Sequence, residues 1–452
     1  MKQSSRASVH LIAFAATLLP VLLSCSSPPQ QVAPIDATKG TVQRPAQGAA
    51  DANGTAPGST SSGAANDQGS VATAAQGALG ATVPTAPIPD PAAISKLIAA
   101  DFAAQGSNGS QVIYATIDHL APNKIESPKL EIVRFGMTKT LNSVSMAPAI
   151  VKLQAIDPAR TVFRVNLAAF NQAGALGAIK SAPFAQQNVS QVGGATVVKG
   201  DWLVYALTRP EIYDPLMKLP AQDTMLESTL HVDYNKAGYI NAQSSDVVFN
   251  GRVLMRVPIE MGGKPGGYYW RSYDFARGDV MQRAFKDPSF LRSATIPDLV
   301  AGEFFFSLPN GLQAYYLVGF GNQHRYDVPG PGGLSIDPPV ATDYRRPQDG
   351  LHPCVGGKAV CGYVINGESC MTCHGDGVNI PKDPAGTNGI SMADMTNLMN
   401  QDRARFAGAI KEMGFTTVTD EPIFATLNIF RNDRNVADKR NQGSEISGLT
   451  GQ

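Results

Sequence analysis

The sequence predicts an α+β fold: a β-rich N-terminal body followed by a small all-α domain near the C-terminus. Three observations carry this. Residues 161–167, Thr-Val-Phe-Arg-Val-Asn-Leu, alternate so that Phe163, Val165 and Leu167 share one face of a strand. Glu303 to Gly319 reads as a hairpin, with Phe304 to Leu308 and Leu312 to Val318 flanking a turn at Pro309-Asn310-Gly311. Further on the apolar period becomes helical: Leu398, Phe406 and Ile410 recur at helical spacing within 394–413, and a second apolar run covers Ile423 to Phe430.

The chain begins with an address. Lys2 and Arg6 precede an apolar run from Leu11 to Leu23 that ends at Leu22-Leu23-Ser24-Cys25. A charged start, a short apolar stretch and small residues at the cut describe a secretory signal. The run falls short of the ~20 residues that span a bilayer. Leu-Leu-Ser-Cys resembles the bacterial lipobox, in which the cysteine becomes the first mature residue and is acylated. Residues 1–24 are therefore expected to be a lipoprotein signal peptide and Cys25 a lipid anchor, since several acyl chains exceed what stable membrane attachment requires. Ser26, in place of Asp, leans towards the outer membrane rather than the inner one. The expected location is the cell envelope, facing the periplasm, or the cell surface.

Residues 25–89 form the tether. Ser26 to Pro89 is built of Ala, Gly, Ser, Thr, Pro and Gln without one Phe, Trp or Tyr, too little apolar surface to offset chain entropy. As a flexible coil it reaches roughly 40–50 Å. The body is assigned to 90–345. Asp90-Pro91 matches an N-cap followed by proline at the first helical position, and Ile94, Leu97, Ile98 and Phe102 continue a helix to Gly106. A helical interval covers Pro210 to Leu230, broken near Pro220. Gly262 to Gly267 reads as a loop, Tyr268 to Phe275 as aromatic core or strand packing, and His119 and His231 as structural residues. The Pro- and Gly-rich stretch from Pro329 to Pro347 is the junction to the last domain, 346–452.

Composition narrows the function. Among 452 residues, 37 basic and 37 acidic side chains cancel to a net charge of zero, with no Lys/Arg cluster, which excludes a general nucleic-acid binder. There is no G-x-x-x-x-G-K-[ST] loop, no H-E-x-x-H and no G-x-S-x-G. Cys370-Met371-Thr372-Cys373-His374 is a C-x-x-C-H motif, the strongest signal in the chain. Two thiols at this spacing add across the vinyl groups of a haem, and the adjacent imidazole binds the iron as proximal ligand. The chain is cysteine-poor and carries an export signal, and no second C-x-x-C completes a zinc site. One covalent haem c on Cys370, Cys373 and His374 is the expected cofactor.

For the distal iron position the sequence offers Met413, at the end of the 394–413 helix before Gly414, with Met392, Met395 and Met399 as alternatives and His352 or His324 upstream. Core packing is the competing role for each methionine. The remaining pair, Cys354 and Cys361, is separated by six residues including Gly356-Gly357, and an oxidising compartment favours a disulfide that closes this small loop.

Gly200-Asp201-Trp202 to Pro220, the Tyr269 to Phe275 stretch, Gly302 to Gln313 and the Cys370 to His374 motif together resemble a family of bacterial lipoproteins with a C-terminal monohaem cytochrome c domain. The likeness spans about residues 130–430 and is specific at Ser-Leu-Pro-Asn-Gly-Leu-Gln and Cys-Met-Thr-Cys-His; the Cys354/Cys361 segment departs from it. The resemblance implies a lipid-anchored haem protein and supplies no substrate. Taken with the motif, it leads to an expected class I-like cytochrome c domain at 346–452 and to one-electron transfer with redox partner proteins. Two alternatives stand beside this: an oxidoreductase whose residues 90–345 oxidise a small substrate with haem as the electron outlet, or a haem-based sensor or binding module.

Overall fold

The aromatic and β-branched runs of the sequence build two separate sheets. The computed structural model describes residues 86–121, 127–236, 239–244, 251–275, 277–287, 290, 299–319, 366–378, 384–388, 390–414 and 421–432. Cys25, the pair Cys354 and Cys361, His324, His352 and the 329–347 junction lie outside these residues.

Helix α1 (Pro91–Gln105) begins as its sequence dictates: the Asp90 carboxylate accepts the Ala93 N–H at 2.8 Å, and Pro91 fills the first turn where no donor is needed. The described chain begins at residue 86, and Ile88 is buried in the core. The first sheet has the order β2 (Gln154–Ala155), β3 (Val162–Asn166), β1 (Val112–Thr116), β5 (Ala195–Lys199), β4 (Val189–Val192). β1 runs parallel to β5; the other pairs are antiparallel. Phe163, Val165 and Leu167 are buried as expected, and Val162 is buried too: α1 packs Ile94 and Ile98 over Val112, Tyr114, Val162 and Val197.

Helix α2 (Pro128–Ser143) is buried along most of its length. Two short helices follow, α3 (Ala175–Ser181) and α4 (Ala185–Asn188), and then α5 (Gly200–Thr208), in which every residue is buried. The interval expected at 210–230 resolves into α6 (Pro210–Leu216) and α7 (Asp223–Thr229), interrupted around Pro220.

The second sheet is antiparallel throughout: β10 (Gln313–Gly319), β9 (Leu299–Ser307), β8 (Lys264–Phe275), β7 (Gly251–Met261), β6 (Tyr239–Ser244), β11 (Pro384–Asn388). Helix α8 (Gly278–Lys286) follows β8 in the chain. The expected hairpin is β9–β10, closed by the Leu308 N–H to Leu312 carbonyl bond with Gly311 at φ +92°. Gly262 to Gly267 is only partly a loop: Gly262 and Gly263, at φ +59° and +75°, form the β7–β8 turn, and Lys264 to Gly267 already belong to β8.

The C-terminal segments correct the expected architecture. Helix α9 (Glu368–Cys373) is followed by β11, which adds itself to the edge of the second sheet beside β6. Then come α10 (Met392–Glu412) and α11 (Pro422–Asn432). α11 lies against α2 so closely that a Cβ on Gly136 would meet Thr426 Oγ1 at 2.1 Å, and its Phe430 ring packs on Phe184 and Tyr205. Cys370, Met371, Met395, Ile423 and Leu427 share one continuous core with Ile113, Trp202 and Trp270. Among the described residues the fold is mixed α and β with two sheets, and no separate all-α cytochrome c domain is evident. Burial explains the difference: helices of this length present apolar faces that the body, already carrying a large apolar surface, covers directly.

Candidate functional site

Helix α9 has only six residues, so neighbours must hold it in place. It opens at Gly367, φ +84°, where a Cβ would lie 2.7 Å from the Thr208 carbonyl oxygen and 3.0 Å from Tyr213 Cγ; only glycine accepts both the dihedral and the approach. Asn366 donates to Asp214 Oδ1 at 2.7 Å. Glu368, 2% exposed, pairs with Arg209 at 3.4 Å and also accepts from Arg431 of α11.

On this helix Cys370 is buried, with its thiol directed to Asn366 Oδ1 at 3.8 Å, and Cys373 is the last helical residue. His374 caps the C-terminus, its N–H bonded to the Cys370 carbonyl at 2.9 Å. Four residues apart, Cys370 and His374 lie on one side of the turn. The imidazole Nδ1 donates to the Gly377 carbonyl at 3.1 Å. A carbonyl oxygen can only accept, so Nδ1 carries a proton, and in the neutral ring this leaves the lone pair on Nε2, the tautomer a metal-binding histidine needs.

The second sheet supplies the wall beside this imidazole. Phe305 of β9 and Tyr315 of β10 face each other across the ladder, with ring centroids 5.0 and 5.6 Å from that of His374. Trp270 of β8 stacks on Phe305 at 6.0 Å and 19°, and its indole N–H donates to Asp402 of α10 at 2.9 Å. Arg256 of β7 meets the same carboxylate with two bonds of 2.7 and 2.8 Å. Behind them Tyr268 donates to Gln313, which donates to the Tyr315 hydroxyl. Burial pushes the Tyr213 and Tyr268 phenols well above their ordinary range, so both remain neutral donors and acceptors.

Helix α10 carries the methionines. Met395, Met399, Asp402, Phe406, Ala409 and Met413 are buried at intervals of three and four, one inward stripe, whereas Met392 at the helix start is 38% exposed. Phe406, in the middle of that stripe, touches the turn after His374: a Cβ on Gly377 would sit 3.0 Å from it. Met395, Met399 and Met413 share with Phe406 the buried face of this helix, and Met392 is set apart by its exposure.

The opposite face of β8 carries a cluster that sequence reasoning treated as packing alone. Arg271, 2% exposed, donates to Glu227 at 2.6 Å, to the Tyr234 hydroxyl at 2.7 Å and to Asp223 at 3.0 Å, while Tyr269 also donates to Glu227. Asp223 Oδ1 and Arg271 Nε have no hydrogen-bond partner among the described residues. Burial raises the Asp223 pKa from 3.8 to about 6, against the lowering effect of Arg271 and reinforced by Glu227. The folded state therefore holds a proton that the unfolded chain releases, and stability falls as pH rises from about 4 to about 6. Asp223→Asn is expected to remove about 2 kcal/mol of that pH-dependence, read as the difference between variant and wild-type urea unfolding at pH 4.5 and 7; an identical pH slope in both proteins would show that Asp223 does not titrate there.

At the motif the structure places His374 Nδ1 on the Gly377 carbonyl and Cys370 one helical turn before His374. Sequence reasoning missed Phe305, Tyr315, Gly377 and Glu368; only the alternation of β9 and β10, which puts Phe305 and Tyr315 on one face, could have pointed to any of them. His119 is bound to Asp201 at 2.9 Å, in keeping with a structural role. Among the described residues no group of three His, Cys, Asp or Glu could hold a metal, and no helix is long and apolar enough to cross a membrane. No protein-family model, no curated protein and no solved structure matches the chain.

Proposed function

We propose that this chain is a lipid-anchored, monohaem c-type electron carrier of the cell envelope, with haem c joined to Cys370 and Cys373 and held by His374. The observation that carries the reading is the Cys370-x-x-Cys373-His374 motif with Nδ1 of His374 committed to the Gly377 carbonyl. When bound, the haem supplies a one-electron couple between ferrous and ferric iron. The residues around it do the tuning. The Nδ1 hydrogen bond makes the imidazole a stronger donor, which favours the ferric state. Phe305 and Tyr315 fix the plane of the ring and keep water from that side. A buried thioether from Met413, or from Met395 or Met399, would complete the iron's coordination and raise the potential relative to a second imidazole. In this reading the haem helix is not packaged as a free-standing class I domain; the helical part of the fold, α9 to α11, acts as the cradle and the second sheet as its back wall. Cys25 ties the protein to the membrane, and the partners are redox proteins.

The test is expression in a strain competent in cytochrome c maturation. The expected product is coloured, with a reversible low-spin spectrum that carbon monoxide leaves unchanged, and its Cys370–His374 peptide carries haem mass. Pigment that extracts into acidified organic solvent, or none at all, refutes the proposal. A high-spin iron that binds carbon monoxide at once would favour the sensor reading.

A further inference from the structure

Lys139 is an unexpected residue for the interior of helix α2. It is 2% exposed, and a methionine or leucine would fill the same space without a charge to desolvate. Its ammonium donates to the Gly375 carbonyl at 2.9 Å and to Glu421 Oε1 at 2.7 Å, and lies 5.5 Å from the centre of the Phe406 ring. Glu421 in turn accepts the Phe424 N–H at 2.6 Å with its other oxygen, at the start of α11. The turn after the motif is thus gripped from three sides. Glu421 is so near that a Cβ on Gly375 would lie 2.4 Å from its Cγ, and Phe406 closes on Gly377, which holds φ +90°. Gly377 itself carries the carbonyl that accepts the Nδ1 proton of His374.

We propose that Lys139 is a positioning residue for the proximal histidine: by anchoring the Gly375 carbonyl it holds the Gly375–Gly377 turn so that the Gly377 carbonyl meets His374 Nδ1. The chemical significance of that bond rests on the reading of Cys370–His374 as a haem motif; the anchoring itself does not. A neutral, donor-free side chain leaves the Gly375 carbonyl without its charge-assisted bond and lets the turn open locally. Glu421 serves Lys139 as counter-charge and also packs its Cγ against Gly375, a contact that Glu421→Gln keeps.

The experiment compares Lys139→Met, Lys139→Gln and Glu421→Gln by residue-resolved hydrogen exchange, in apoprotein and in haem-loaded protein. Loss of a hydrogen bond to a charged donor should speed exchange of the Gly377 amide, and of the His374 Nδ1 proton in loaded protein, by about tenfold or more in K139M. Amides in strands β8 and β9 should change far less. K139Q retains an N–H donor and should fall between wild type and K139M, which keeps the test decisive if K139M does not fold. E421Q, with the ammonium still on Gly375, should leave Gly377 close to wild type. Uniform acceleration across turn and strands, or equal effects of E421Q and K139M, would reduce Lys139 to a general structural charge and overturn the proposal. If wild type takes up no haem, the haem reading falls while the apoprotein comparison still decides the role of Lys139.

Discussion

Asp402→Ala is expected to destabilise the protein by about 3–5 kcal/mol, because it leaves a buried guanidinium without its counter-charge. The Asp402 side chain is 3% exposed and that of Arg256 is 9% exposed, and their two-bond contact joins helix α10 to strand β7. The same carboxylate accepts the Trp270 indole N–H, so its removal also orphans a donor inside the core. The measurement is urea unfolding followed by tryptophan fluorescence at neutral pH. A drop below about 1 kcal/mol would mean that water reaches Arg256 and the pair is not desolvated. The double variant Arg256→Met with Asp402→Leu separates charge from packing: replacing both partners by apolar groups should recover a large part of the loss, since the pair's net contribution is smaller than the penalty of breaking it. The consequence reaches the candidate site, because Trp270 stacks on Phe305 and Phe305 packs on His374. D402A should therefore disturb the imidazole environment even where the fold survives, and a ring-proton shift at His374 would register it.

What could be read from the sequence, and what could not, follows the range of the interaction concerned. The capped start of α1, the β9–β10 hairpin and helix α10 are local patterns, and Asp90-Pro91, Asn310-Gly311 and the spacing of Leu398, Phe406 and Ile410 declare them, although the face that α10 buries runs instead from Met395 through Phe406 to Met413. Helix α5 does not declare itself: Gly200 to Thr208 is buried on every side, so its residues have no polar face and no period to detect. Strand β11 is less visible still. Pro-Ala-Gly-Thr-Asn has none of the β-branched alternation of an inner strand, and its pairing with β6 is possible because an edge position tolerates Pro384. That strand, with α11 on α2, is why no separate all-α domain is evident among the described residues. At the site the Cys370 to His374 motif was legible because it is a contiguous run of five residues. The contacts that surround it, Lys139 with Gly375 or Arg209 with Glu368, join residues more than 150 positions apart, and no local pattern records them.

Glu368→Ala should have an effect of similar size and a different reach. Glu368 stands at the first position of α9, where its charge also faces the helix N-terminus favourably. Its side chain is 2% exposed and is held by Arg209, at the α5–α6 junction, and by Arg431 of α11. Truncation leaves two guanidinium groups across a vacated site, the buried one, Arg209, keeping the more exposed Glu211 at 3.7 Å, and should lower global stability by roughly 3 kcal/mol. Because a six-residue helix has little stability of its own, the loss should fall first on α9: the amides of Met371 and His374, bonded to the Gly367 and Cys370 carbonyls, should exchange faster than those of β8. Glu368→Gln, which keeps an acceptor and removes the charge, should lie between wild type and alanine. If the motif is the attachment site proposed above, the fraction of chains carrying covalent pigment should fall in the same order, wild type, E368Q, E368A, since Cys370 and His374 would no longer be held in helical register. Unaltered exchange in α9 alongside a global loss would instead place the role of Glu368 in joining α11 to the α5–α6 corner, with α9 supported by the Asn366–Asp214 bond and the close fit of Gly367.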